Sequence, residues 1–173
     1  MSRIEKSRND IEKGIQGTKD QSEKLQRKLD QDVKDKEVIK QVADRLKGTG
    51  TSEALRNVAQ KGEQAAEKID KQTEKDHAEL DQTAHAQAKD RESELKERAD
   101  AAQQDGAHLK RASGEVKQTE AKSFMNEAAS DAKQDEDYLK KGKSKQLEIR
   151  NKSEREAHEK EKKVKSARPR FQH

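Results

Sequence analysis

Cysteine and tryptophan are absent from this 173-residue chain, proline occurs once, and aromatic residues make up 2% of it. The lack of cysteine excludes disulfides, thiolate metal sites and cysteine nucleophiles. The lone proline, Pro169, stands four residues before the last one, so almost the whole chain is free of the residue that breaks a helix interior. Phe124, Tyr138 and Phe171 are the only aromatics, and Leu, Ile, Val and Phe together number 23, or 13%. That is below the roughly 20% under which a conventional globular core becomes doubtful. A deep apolar pocket of the kind ordinary enzymes use has little to be built from. No apolar run approaches the roughly 18 residues of a membrane span. The start, Met1-Ser2-Arg3-Ile4-Glu5-Lys6, contains no signal-peptide apolar region. Cytoplasmic residence is the default expectation; leaderless secreted cargo, or a component of a larger particle, would carry the same features.

What the chain does contain is charge and alanine. Charged residues make up 44%, with 40 basic against 36 acidic, for a net charge of +4. Alanine supplies 20 of the 46 apolar residues. Ala, Glu, Lys, Gln, Arg and Leu dominate, all strong helix formers, and no stretch alternates for long enough to argue a strand. The fold expected is all-α: an elongated amphipathic hairpin or coiled-coil-like bundle with a basic, partly flexible C-terminal arm.

Residues 3–104 read as an antiparallel hairpin of two long helices with its turn at 48–52. In the first helix a heptad reading puts Ile4, Ile11, Thr18, Leu25, Asp32, Ile39 and Leu46 in one seam position. Arg8, Ile15, Ser22, Leu29, Lys36 and Ala43 fall in the other. Asp32 and Lys36 interrupt this stripe, as a polar layer that fixes register or as a local shift of the apolar face. Gly48-Thr49-Gly50 then stops the helix, and Thr51 or Ser52 offers a hydroxyl to cap the next one, with Glu53 in its first turn. The second stripe, through Leu55, Ile69, Leu80 and Leu95, is thin and rich in alanine, so each turn buries little area. The helix-packing residues expected are Ile11, Ile15, Leu25, Leu29, Ile39, Leu46, Leu55, Ile69, Leu80 and Leu95. Asp105-Gly106 and Ser113-Gly114 are weaker interruptions, so residues 107–141 form either a third helical segment or a continuation of the second. Phe124, Met125, Tyr138 and Leu139 are the bulky residues there, suited to core packing or to a partner contact.

Residues 142–173 read as a basic helical arm and flexible tail: positions 140–173 hold 13 Lys/Arg and 5 Asp/Glu. Lys140, Lys141, Lys143, Lys145, Lys160, Lys162, Lys163, Lys165, Arg168 and Arg170 are its candidate anion-binding residues. No stacking platform of aromatics accompanies them. His77, Asp81 and His85 lie four apart on one helical ridge and are the nearest approach to a metal or acid–base cluster. A metal site, however, needs three or four converging ligands. No catalytic set, cofactor or metal is expected.

The function expected is that of a structural or protein-interaction module forming helical assemblies through thin seams, with itself or a larger protein assembly as partner. The alternatives are a nucleic-acid-associated protein using the basic arm, and a hydrophilic protective protein that folds on binding or drying. The last rests on composition alone, since no regular repeat is present.

Overall fold

The computed structural model describes residues 3–47, 52–167 and 169. Residues 48–51, including the expected turn glycines and Thr51, lie outside the described residues, as do Arg168, Arg170 and Phe171 of the tail. Among the described residues there is no strand, and nearly all are helical. Helix α1 spans Arg3–Leu46 and α2 spans Glu53–Leu80. A π-helical segment follows at Asp81–His85, then α3 at Ala86–Glu115 and α4 at Thr119–Ser166. Because α2, the π segment and α3 follow without a gap, three continuous helical stretches pack as a bundle.

Local chemistry sets the ends. Ser52 caps α2 from an extended backbone, its Oγ accepting from the Leu55 amide at 3.4 Å. Helix α3 runs through Gly106 and stops at Glu115, and the break falls at 116–118. A helical glycine costs only about 1 kcal/mol relative to alanine, which packing can outweigh. Gly106 lies against α4, with Ala129 and Ala132 beside it. Across the three-residue link, Ser113 Oγ donates to Asn126 Oδ1 at 2.7 Å, as antiparallel neighbours require.

Helices are grouped into two compact units, each described by itself. The first holds residues 1–20 and 86–150, hence the start of α1, all of α3 and most of α4. Its core is Ile11, Leu95, Ala99, Ala102 and Leu139, with Ile15 packed against it. Leu139 is 1% exposed and belongs to this core, which leaves it no surface for a partner. The second unit holds residues 21–85 and 151–173. In it α1 and α2 run antiparallel, matched by Lys28 with Glu79, Lys36 with Asp70, and Ala43 with Ala59. Its apolar clusters are Leu25, Leu29, Leu80, Ala84 and Ala157, and Ala43 and Ala59 with Ile39 and Leu46. Leu55 and Ile69 are half-buried.

Residues 142–166 do not form a separate arm: they are the second half of α4, continuous with 119–141. Their packed positions are Gln146, Ser153, Ala157 and Val164, all buried. Apart from Val164 these are small or polar residues, so a search for large apolar side chains passes over most of them.

Candidate functional site

The interior of each unit carries many polar and charged side chains, and these are the chemically equipped residues described. In the second unit the interruption at Asp32 and Lys36 is a buried polar layer. Lys36 is 1% exposed, and its Nζ donates to Asp70 Oδ1 at 2.5 Å and to the Ala66 carbonyl at 3.1 Å. Thr73 Oγ1 donates to Asp32 Oδ2 at 3.1 Å. Burial pushes the Asp32 carboxyl above the usual range; Asp76 and Asp35 push the same way, and the Thr73 hydroxyl partly opposes them.

The ridge of His77, Asp81 and His85 turns toward α4. His77 Nδ1 meets Glu161 Oε2 at 2.6 Å, and His85 Nε2 meets Ser153 Oγ at 3.0 Å. Two histidines eight residues apart thus engage two α4 residues eight apart, which fixes the antiparallel register. Asp81 Oδ1 holds His85 Nδ1 at 2.8 Å, while its Oδ2 is 4.0 Å from His77 Nε2. The π segment supplies the wider turn on which Asp81 and His85 sit. Lys165 first, and His77 after it, hold the Glu161 carboxyl below the usual carboxylate range. Gln26 completes the cluster, its Nε2 donating to the Ser153 carbonyl at 2.8 Å.

Asp81, His85 and Ser153 have the atom order of an acid–base–nucleophile triad. Ser153, however, is 4% exposed and sits mid-helix, where the surrounding amides already serve the i→i−4 ladder. As arranged, the hydroxyl is an interior hydrogen-bonding partner. Among the described residues no group of three or more His, Cys, Asp or Glu side chains is placed to hold a metal ion.

In the first unit, Arg91 Nη1 donates to the Gly14 carbonyl at 2.5 Å and to Thr18 Oγ1 at 3.1 Å. Gln146 also reaches Thr18. Arg150 grips Glu92 with two bonds of 2.8 and 3.2 Å, a bidentate geometry stronger than a single charged contact. A half-open cavity of about 140 Å³ lies beside Ile11, Ile15, Arg91, Leu95 and Arg98. Arg98 there already serves Ser7 at 3.2 Å and faces Asp10 and Glu94 at 4.0 Å.

Several of the α4 cations are engaged. Lys140 pairs with Glu136, Lys160 with Asp30 at 2.7 Å, and Lys165 with Glu161 and Glu74. Lys141, Lys145, Lys162 and Lys163 are exposed and Lys143 is half-buried. Of the expected partner-contact residues, Phe124 is 72% exposed, Tyr138 is 38% exposed, and Met125 is half-buried. Val38, Val42, Val58 and Leu147 are the other large hydrophobics left in solvent.

Sequence reasoning reached the His77–Asp81–His85 ridge and the Asp32/Lys36 layer but missed Gln26, Ser153, Gln146 and the Glu92–Arg150 pair. The seven-residue step from Gln146 to Ser153, continued by Ala157 and Val164, is the signal that marks their seam.

No helix among the described residues is long and apolar enough to cross a membrane. No protein-family model, curated protein or solved structure matches the chain.

Proposed function

We propose that this chain is a non-enzymatic helical scaffold that acts by protein–protein contact, through helix faces that its own bundle leaves uncovered. Its helices pair in coiled-coil-like seams whose polar layers select register, a role buried polar residues have in other helical assemblies. The observation that carries the reading is Phe124. In the first unit α1 covers Leu139, Gly142 and Gln146 of α4, which recur at intervals of three and four. The same row continues backward through Asp135, Asp131 and Ala128 to Phe124. Phe124, the largest apolar side chain described, stands on that row 72% exposed. An aromatic left uncovered on a packing row is the kind of anchor that dominates protein interfaces.

The test is a photo-crosslinking amino acid at position 124, with Lys133, an exposed residue of the same helix, as control. Discrete protein adducts at 124 and none at 133 are expected. Equal labelling at both positions, or adducts to nucleic acid alone, would refute the reading.

A further inference from the structure

A second uncovered face lies in the other unit, and its chemistry specifies what it would take. Helices α1 and α2 present two flanks. On one sits α4: Gln26 bonds to Ser153, Asp30 pairs with Lys160, His77 meets Glu161 and Glu74 lies 3.9 Å from Lys165. The opposite flank is marked by the Lys28–Glu79 pair, which crosses from α1 to α2 at 2.7 Å. Heptad spacing extends this flank along both helices. Val42 lies two heptads after Lys28, and Ala65 and Val58 lie two and three heptads before Glu79. Val38 stands one turn before Val42.

These positions hold three of the six large hydrophobics left exposed among the described residues: Val38 at 57%, Val42 at 41% and Val58 at 44%. Scattered single exposures need no explanation, but a cluster on one face does. In a chain so short of large apolar residues, three of them left in water on one face contribute little to folding stability.

Charge is sorted between the same two flanks. On the α4 side one heptad row of each helix is mainly acidic: Asp30, Glu37 and Asp44 on α1, and Glu53, Glu67 and Glu74 with Gln60 on α2; the neighbouring row of Gln26 ends in Lys40. Helix α4 answers them with Lys160 and Lys165. On the valine side the rows are basic: Lys61, Lys68 and Lys75 recur every seven residues on α2, and Lys34 and Arg45 flank the valines on α1. All five are exposed. The acids on this flank are engaged: Asp35 accepts from Gln31 at 2.6 Å, and Glu79 pairs with Lys28.

We propose that this basic-rimmed valine face of the α1–α2 hairpin is a docking surface for an acidic amphipathic helix of a partner protein. The proposal rests on the reading of the chain as an interaction scaffold. The chain's own packing supplies the pattern: a basic helix lies on the acidic flank, so the basic flank suits an acidic helix. Apolar residues of the incoming helix would cover Val38, Val42 and Val58, while its carboxylates meet Lys61, Lys68 and Arg45. The same rim disfavours an isologous dimer, because a second copy of this face would set cations against cations.

The experiment uses the full chain and three labelled synthetic helices of roughly three heptads. One has leucine seams flanked by glutamates, one has the same seams flanked by lysines, and one has the glutamates with serine seams. Fluorescence anisotropy is read at low and high salt. The acidic leucine helix is expected to bind best, and more weakly as salt rises. Val42→Asp should weaken it by about tenfold or more, equivalent to about 1.4 kcal/mol. Lys61→Glu with Lys68→Glu should transfer preference to the basic helix. Both variants change exposed residues, and circular dichroism checks that they fold.

Equal binding of all three helices overturns the proposal, as does affinity unmoved by the variants. Two further outcomes would also overturn it. One is duplex DNA binding that is lost with the lysine reversal, which would make the face a phosphate site. The other is dimerisation on sedimentation that Val42→Asp abolishes, which would make the occupant a second copy. Because the crosslinking test reads Phe124 in the other unit, failure here leaves the scaffold reading standing, and failure of that reading appears separately.

Discussion

Replacing Gly142 by alanine tests the close approach of α1 and α4 in the first unit. Gly142 is buried in mid-helix, where alanine alone would favour the helix by about 1 kcal/mol. A methyl there would stand 2.6 Å from Ile11 Cγ2 and 3.1 Å from Ile11 Cγ1 and Cδ1, well inside the roughly 3.5–4.0 Å at which carbon atoms rest. Ile11 packs in the core with Leu95 and Leu139, and it can yield only by leaving those contacts for the half-open cavity beside it. Overpacking of this kind costs about 1–3 kcal/mol. The propensity gain offsets part of it, leaving a net loss of about 0–2 kcal/mol. Gly106→Ala in the same unit is the control. Its methyl would sit 3.6 Å from the Ala129 carbonyl and Ala132 Cβ, an ordinary contact, so a gain of up to about 1 kcal/mol is expected. The cycle closes with Ile11→Ala, which alone should cost about 2–5 kcal/mol. Combined with Gly142→Ala it should cost less than the sum by about 1 kcal/mol or more, because the new methyl fills part of the space vacated. Urea denaturation followed by far-UV circular dichroism gives all four values. A Gly142→Ala protein stabilised as much as Gly106→Ala, or additivity in the cycle, would show that the two helices do not meet at Ile11.

Two further predictions concern pH. Asp32 is raised above the usual carboxylate range by burial and by Asp76 and Asp35, so the fold prefers it protonated, and its contribution to stability declines as pH rises from the ordinary carboxylate range through the raised value. Asp32→Asn is neutral at every pH and can still accept from Thr73. Its urea midpoint should exceed the parent's at neutral pH and converge with it in acid; a constant difference would count against the assignment. Glu161 is shifted the opposite way by Lys165 and His77. Its contribution is present above the ordinary glutamate range and lost as pH falls through the lowered value. Glu161→Gln should therefore cost about 1–2 kcal/mol at neutral pH, with the deficit shrinking in acid. An unchanged deficit at low pH would mean that the side chain acts by packing alone.

Much of the fold is legible in the sequence because helix formation is a local matter. Proline-free stretches of Ala, Glu, Lys, Gln, Arg and Leu favour helix over any other regular structure, and packing then stabilises it. Ser52 announces its cap, and Ile11, Leu25, Leu29, Leu80 and Leu95 announce the packed stripe. The His77–Asp81–His85 ridge is likewise a matter of four-residue spacing. Gly106 leaves the sequence undecided between a turn and a continuing helix; the alanines of α4 lie against it and the helix carries on to Glu115.

Which polar residues enter the interior is decided only when three helices meet. Heptad spacing puts Lys36 on the seam, but it cannot say whether the amine stays in or the stripe shifts away from it; Lys36 is buried because Asp70 and the Ala66 carbonyl of another helix receive its amine. Ser153 and Gln146 count as nothing on an apolar scale but lie inside because His85, Gln26 and Thr18 reach them. The basic stretch follows the same rule in part: Asp30 holds Lys160 against α1, while Lys165 pairs with Glu161 and Glu74 and stays exposed. Helicity depends on neighbours within one turn of the chain, so composition determines it. Burial of a polar group depends on a partner 30 to 130 residues away, as Lys36–Ala66 and Gln146–Thr18 illustrate with separations of 30 and 128, and only the tertiary structure brings that partner within reach.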